Sequence, residues 1–142
     1  MKIAVDFDGT IVRHAYPKIG KAIPFALDTL RMLQKKHQLI LWTVREGPLL
    51  EEAVEYCRSN GVEFYAVNAN HRDEASCMYK CRKVNADLFI DDRNIGGLPD
   101  WGQIYLMISD DLSIEDYFNK NLMQPKERRS KRSLWQRLFN GK

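Results

Sequence analysis

The chain has 142 residues, 44% of them hydrophobic, which suits one domain around one core and excludes a chain disordered throughout. Its longest apolar runs, such as Leu39-Ile40-Leu41-Trp42, are too short to span a bilayer, and no basic, apolar leader precedes the first structural segment, so a cytoplasmic location is expected. The formal net charge of +3 divides unevenly: residues 126–142 hold seven Lys/Arg and one Glu, and residues 1–125 hold 15 Lys/Arg and 18 Asp/Glu, so a mildly acidic body carries a basic tail.

In chain order, Lys2 to Val5 reads as a buried strand that ends at Asp6. A loop from Gly9-Thr10 through Pro17 and Gly20 follows. Pro24 reads as a first-turn residue of a helix with Leu27, Leu30 and Leu33 on its apolar face, fading near Lys36-His37. Gln38 to Thr43 is a second strand. Gly47-Pro48 opens a helix from Leu49 to about Ser59, stopped by Asn60-Gly61. Glu63 to Val67 reads as a third strand, Arg72 to Lys83 as a helix, and Asp87 to Ile90 as a fourth strand ending at Asp91-Asp92. Gln103 to Ile108 reads as a fifth strand, and Ser113 to about Asn121 as a last helix capped by its serine.

Strands alternating with helices predict an α/β domain, three-layered and Rossmann-like, with a mainly parallel sheet. Ligands of such sheets bind beyond the carboxyl ends of the strands. Asp6, Thr43, Asp91 and Asp92 all fall at strand ends, so separate strands deliver polar groups to one rim. The three cysteines, Cys57, Cys77 and Cys81, are an odd number without a completing ligand set, and packing is the plain reading of all three.

Four elements carry the chemistry. In Val5-Asp6-Phe7-Asp8-Gly9-Thr10, two carboxylates one residue apart leave a strand, and Gly9 permits a sharp turn. Thr43 can donate a hydroxyl to a phosphoryl oxygen. A lysine before the fourth strand, Lys83 in preference to Lys80, can neutralise charge on a nucleophile and a phosphate together. Phe89-Ile90-Asp91-Asp92 ends a buried strand in two acids. Crowded carboxylates are costly without a cation, and an all-oxygen set suits Mg²⁺.

Together, Asp6-Phe7-Asp8-Gly9-Thr10, Thr43, Lys83 (or Lys80) and Asp91-Asp92 resemble, in order, the motifs of the haloacid dehalogenase-like (HAD-like) phosphohydrolases. The resemblance covers Lys2 to Asp92 and, with the fifth strand, reaches about Ile108. It implies a HAD-like phosphatase in which Asp6 is the nucleophile forming an aspartyl-phosphate, and Asp8 the general acid and then base. Thr43 would bind the phosphoryl group, and Lys83 would hold Asp6 and the phosphate. The implied cofactor is Mg²⁺, bound by Asp6, the main-chain carbonyl of Asp8, and Asp91, with Asp92 binding through water or orienting the site. Gly9 and Arg45 join the expected substrate-binding residues, Arg45 through its position just after Thr43.

Asp6 and Thr43 are 37 residues apart, and Thr43 and Lys83 are 40 apart, which leaves no room for a large cap domain in either interval. An open site suits a large phosphorylated substrate, or closure by a neighbouring subunit in an oligomer. The loop from Ile11 to Ala22, with Arg13, His14, Tyr16, Lys18 and Lys21, reads either as a small flap over an anionic substrate or as a solvated loop. The basic tail, residues 126–142, suits a disordered solubilising end, or docking on nucleic acid, lipid or the body itself. Two alternatives to a small-molecule phosphatase follow: a phosphatase of nucleic-acid ends, and a non-catalytic phosphoryl-accepting module. The latter would resemble response-regulator receivers and fits poorly, because in those the phosphorylated Asp ends the third strand, where this chain has Asn68.

Overall fold

The computed structural model of the protein describes residues 1–73 and 83–109. They form β1 (Lys2–Val5), α1 (Ala26–Leu33), β2 (Gln38–Leu41), α2 (Gly47–Ser59), β3 (Ala66–Val67), β4 (Leu88–Ile90) and α3 (Trp101–Ser109). The chain divides into two compact units, Met1–Leu106 and Met107–Lys142. The first holds the whole sheet, and residues 107–109 of the second are the end of α3. The expected helices Arg72–Lys83 and Ser113–Asn121 fall mostly or wholly outside the described residues, as do Cys77, Lys80, Cys81 and the basic tail.

The four strands run parallel in the order β3-β2-β1-β4, which makes this an α/β, Rossmann-like sheet with no large cap among the described residues. β1 takes a central place because it is apolar on both faces: Ile3, Ala4 and Val5 are at most 1% exposed. Alternation sends Ala4 to one face, where it packs with Ile40, Ala66 and Val84 and with the flanking rings of Trp42, Tyr65 and Phe89. Phe7, on the opposite parity, meets Tyr56 of α2 edge-on at 6.0 Å. No described helix is long and apolar enough to cross a membrane.

Register decides what the strand ends deliver. Val5 pairs with Leu41 on one side and Ile90 on the other. The ladder runs one step further, since Asp6 N–H donates to the Ile90 carbonyl at 3.0 Å and Trp42 N–H to the Val5 carbonyl at 2.9 Å. Asp6 and Asp91 are therefore next-door neighbours leaving adjacent parallel strands.

The helices differ from expectation in instructive ways. α2 ends as read: Gly61 takes a φ of +78°, and Val62 N–H returns to the Cys57 carbonyl at 2.9 Å. α1 starts later than expected, because Phe25 at φ 66° precedes the first turn, leaving Pro24 outside it. The expected fifth strand is wrong: Gln103 to Ile108 lies within α3. A short continuous apolar run does not distinguish a buried strand from a buried helix. The overlooked signal was Asp100 after Pro99, whose carboxylate accepts from Gln103 N–H at 3.0 Å, an N-terminal cap.

α3 ties the frame to the loop after β1. Trp101 is 1% exposed, and its indole N–H donates to the Thr10 carbonyl at 3.0 Å. The Thr29 hydroxyl of α1 donates to the Trp101 carbonyl at 3.3 Å. Trp101→Phe keeps an aromatic ring but leaves the Thr10 carbonyl without its donor. Urea unfolding of this variant should show a loss of about 1–3 kcal/mol, the usual cost of orphaning a buried polar group; an unchanged midpoint would mean that the hydrogen bond holds nothing.

Candidate metal and phosphoryl site

The loop after β1 turns back at once, with Ile11 and Val12 N–H both donating to the Phe7 carbonyl at 3.0 and 3.1 Å. Gly9 makes the turn possible in two ways. Its φ is +98°, and a Cβ there would lie 2.3 Å from His14 Nε2 and 2.4 Å from Asp92 Oδ2. Its N–H donates to the Val12 carbonyl at 2.7 Å. Gly9 thus serves the site by making room for Asp92 and His14, and its N–H is engaged within the loop, which corrects the expectation that it binds phosphate directly.

Thr10, fully buried, joins the two strand ends. Its hydroxyl donates to Asp6 Oδ2 at 3.2 Å and accepts from Asp92 N–H at 3.1 Å. Asp91 Oδ1 accepts from Arg93 N–H at 2.8 Å, which fixes the turn beyond β4. Asp6, Asp91 and Asp92 each bring a carboxylate oxygen to within 4.8 Å of the other two. Asp92 Oδ2 also meets His14 Nε2 at 2.9 Å, and Asp92 Oδ1 is buried with no hydrogen-bond partner.

Burial pushes the Asp6 carboxyl from 3.8 up to about 6; the Phe7 N–H and the Thr10 hydroxyl oppose the rise, and the charges of Asp91 and Asp92 add to it. A set of crowded oxygen donors, one of them orphaned, fits a hard divalent cation such as Mg²⁺.

Asp8 sits apart from these three. Its side chain is 10% exposed and forms a two-pronged ion pair with Arg45, Nε to Oδ2 at 2.6 Å and Nη2 to Oδ1 at 2.8 Å. Arg45 is fully buried between the rings of Phe7 and Tyr16, 5.0 and 5.4 Å from their centroids. Its remaining contacts are the Pro17 and Lys18 carbonyls, both at 3.0 Å. The expectation that Arg45 reaches a substrate phosphate does not fit this burial. A guanidinium with a carboxylate and two carbonyls around it is an internal brace, and it fastens the loop after β1 to Asp8.

Thr43 lies half-buried just past β2. Its N–H donates to Asn68 Oδ1 at 2.8 Å, and its hydroxyl oxygen accepts from Arg45 N–H at 3.3 Å. The hydroxyl keeps its own proton as a donor. Asn68 adopts a φ of 47°, a conformation asparagine tolerates, and so turns its amide toward Thr43. Lys83 is exposed, with Nζ 5.3 Å from the ring centroid of Phe89, two residues before Asp91. The structure thus gathers Asp6, Asp91 and Asp92, and pairs Asp8 with Arg45. The particular partners of Thr10, His14 and Asn68 are what sequence does not give. An N–H-accepting hydroxyl and a left-handed asparagine leave no periodic mark, although His14 lies in the loop that reads as either a flap or a solvated loop.

A solved structure of a conserved protein from Bacteroides thetaiotaomicron is similar to this chain, at 59% sequence identity and a TM-score of 0.75. The match covers 83% of this chain and 97% of that one. The chain belongs to that protein's family. No protein-family profile matches the chain, and no curated protein matches it.

The raised Asp6 carboxyl gives a signed pH dependence. Without metal, the folded state holds this proton more tightly than the unfolded chain does. The group's contribution to stability is therefore full below about 3.8 and is lost as pH rises through about 6. A cation held there would have to displace the proton, so its apparent affinity should fall about tenfold per pH unit below about 6 and level off above it. Thermal melts should show a rise in Tm with Mg²⁺ that is full at pH 7.5 and much smaller at pH 5; equal shifts would remove Asp6 from the cation site.

Proposed function

We propose that this chain is a small HAD-like phosphatase that hydrolyses a phosphate monoester through an aspartyl-phosphate on Asp6. The observation that carries the reading is the meeting of Asp6, Asp91 and Asp92 at the ends of two adjacent parallel strands, within 4.8 Å of one another. Phosphoryl transfer asks mainly for positioning and charge neutralisation. Asp6, Asp91 and Asp92, with the main-chain carbonyl of Asp8, would hold Mg²⁺, which when bound supplies the positive charge that offsets three carboxylates and a phosphoryl group.

The chain's own residues do the rest. An Asp6 carboxylate oxygen attacks phosphorus, and the ester oxygen leaves with the bonding electron pair. The Thr10 hydroxyl, on Asp6 Oδ2, keeps the attacking carboxylate from rotating. Thr43, its N–H fastened to Asn68, turns its hydroxyl proton to a phosphoryl oxygen. Lys83, whose Nζ lies 5.3 Å from the Phe89 ring centroid, would add positive charge. Asp8 protonates the departing oxygen and takes a proton from the water that then cleaves the acyl phosphate. Inorganic phosphate leaves and Asp6 is restored. The substrate is a phosphorylated small molecule or a larger phosphorylated partner at an open rim.

The test is turnover of p-nitrophenyl phosphate in Mg²⁺, followed by a panel of phosphorylated metabolites and nucleotides. Asp6→Asn should lower kcat by about a thousandfold or more while the protein stays folded, and chelation should stop the wild type. Turnover that survives in Asp6→Asn would end the proposed role of Asp6.

A further inference from the structure

Arg45 is the one fully buried charged side chain among the described residues, and the proposed reaction gives it no task. Four of its five N–H groups are engaged: two on Asp8, one on the Pro17 carbonyl and one on the Lys18 carbonyl. Its plane also lies against Phe7 and Tyr16. Such a group does not search for a ligand. It fixes whatever it holds, and it holds both oxygens of Asp8.

We propose that Arg45 is a positioning residue that aims Asp8 at the water attacking the aspartyl-phosphate. This rests on the phosphatase reading of the same site. A carboxylate has about four lone-pair positions, and a bidentate guanidinium occupies two of them. The remaining pair on Asp8 stays free to take a proton from water, and the fork decides where it points. In that step a water oxygen bonds to phosphorus, its proton passes to Asp8, and the bond from phosphorus to the Asp6 oxygen breaks with its electrons returning to Asp6. The Pro17 and Lys18 carbonyls complete the fork, so the loop after β1 sets the aim of Asp8 through Arg45. A lysine cannot replace this function, because one ammonium cannot grip both carboxylate oxygens in a plane.

The consequence is specific to the second half of the reaction. p-Nitrophenolate departs readily without a proton, so phosphorylation of Asp6 by p-nitrophenyl phosphate depends little on Asp8, whereas hydrolysis of the acyl phosphate depends on it fully. Rapid mixing of the full chain with p-nitrophenyl phosphate and Mg²⁺ separates the two. Asp8→Asn should show a burst of about one p-nitrophenolate per chain, then a steady rate reduced by about a hundredfold to ten-thousandfold. Arg45→Lys should show the same burst, with a steady rate reduced by about tenfold to a hundredfold.

Because a buried Asp8 with a poor partner can unfold the domain, a second comparison uses a double variant in which the pair is neutral. Asp8→Asn combined with Arg45→Gln should turn over within about twofold of Asp8→Asn alone, since a fork with no carboxylate to aim has nothing left to lose. A burst in Arg45→Lys together with this non-additivity supports the inference. A lowered rate without a burst, or a further tenfold loss in the double variant, overturns it and leaves the phosphatase reading standing. A wild type that does not turn over p-nitrophenyl phosphate with Mg²⁺ overturns both.

Discussion

The Thr10 hydroxyl is the hinge pin of the candidate site. It donates to Asp6 and accepts from the main chain of Asp92, so one small side chain fastens the exit of β1 to the exit of β4. The parallel register places Asp6 beside Asp91, and Thr10 keeps the two loops from drifting apart despite the repulsion of their carboxylates. Thr10 is in turn held by the Trp101 indole, and Trp101 by Thr29. A chain of contacts thus runs from α1 and α3 to the acids without passing through solvent.

Two electrostatic arrangements stand side by side on the loop after β1. Asp6 is buried and, with Asp91 and Asp92, crowded by like charge, the state that a bound cation relieves. Asp8, two residues on, has a complete partner in Arg45. Removing one member of a buried ion pair typically costs about 3–5 kcal/mol, so Asp8 and Arg45 hold one another in place. Between them in sequence, Phe7 buries its ring against Tyr56 and Arg45. One aspartate is left poised and the other braced.

Much of this was legible in the sequence. Apolar strands that stop at acids are visible in Lys2 to Asp6 and Leu88 to Asp92, and parallel pairing turns that linear pattern into proximity. Gly61 after Asn60 marked the end of α2 through its left-handed conformation. What escaped was whatever depends on one side chain finding another across the fold. Arg45 looks like a rim residue in sequence, because its position after Thr43 says nothing of the carbonyls of Pro17 and Lys18. Gln103 to Ile108 holds an unbroken apolar run, Ile104 to Ile108, which suits a buried strand and a buried helix alike. Thr10 and Asn68 act through side-chain hydrogen bonds to particular partners, which have no period to detect.

The most direct measurement counts the cation. Mn²⁺ can stand in for Mg²⁺ at an oxygen site, and its free form is followed by electron paramagnetic resonance. At pH 7.5 the full chain should take up one Mn²⁺ per molecule, displaced by Mg²⁺. Asp91→Ala and Asp6→Ala should each abolish that uptake while the fold persists. Unchanged uptake by both variants would contradict the convergence of β1 and β4 on a shared ion.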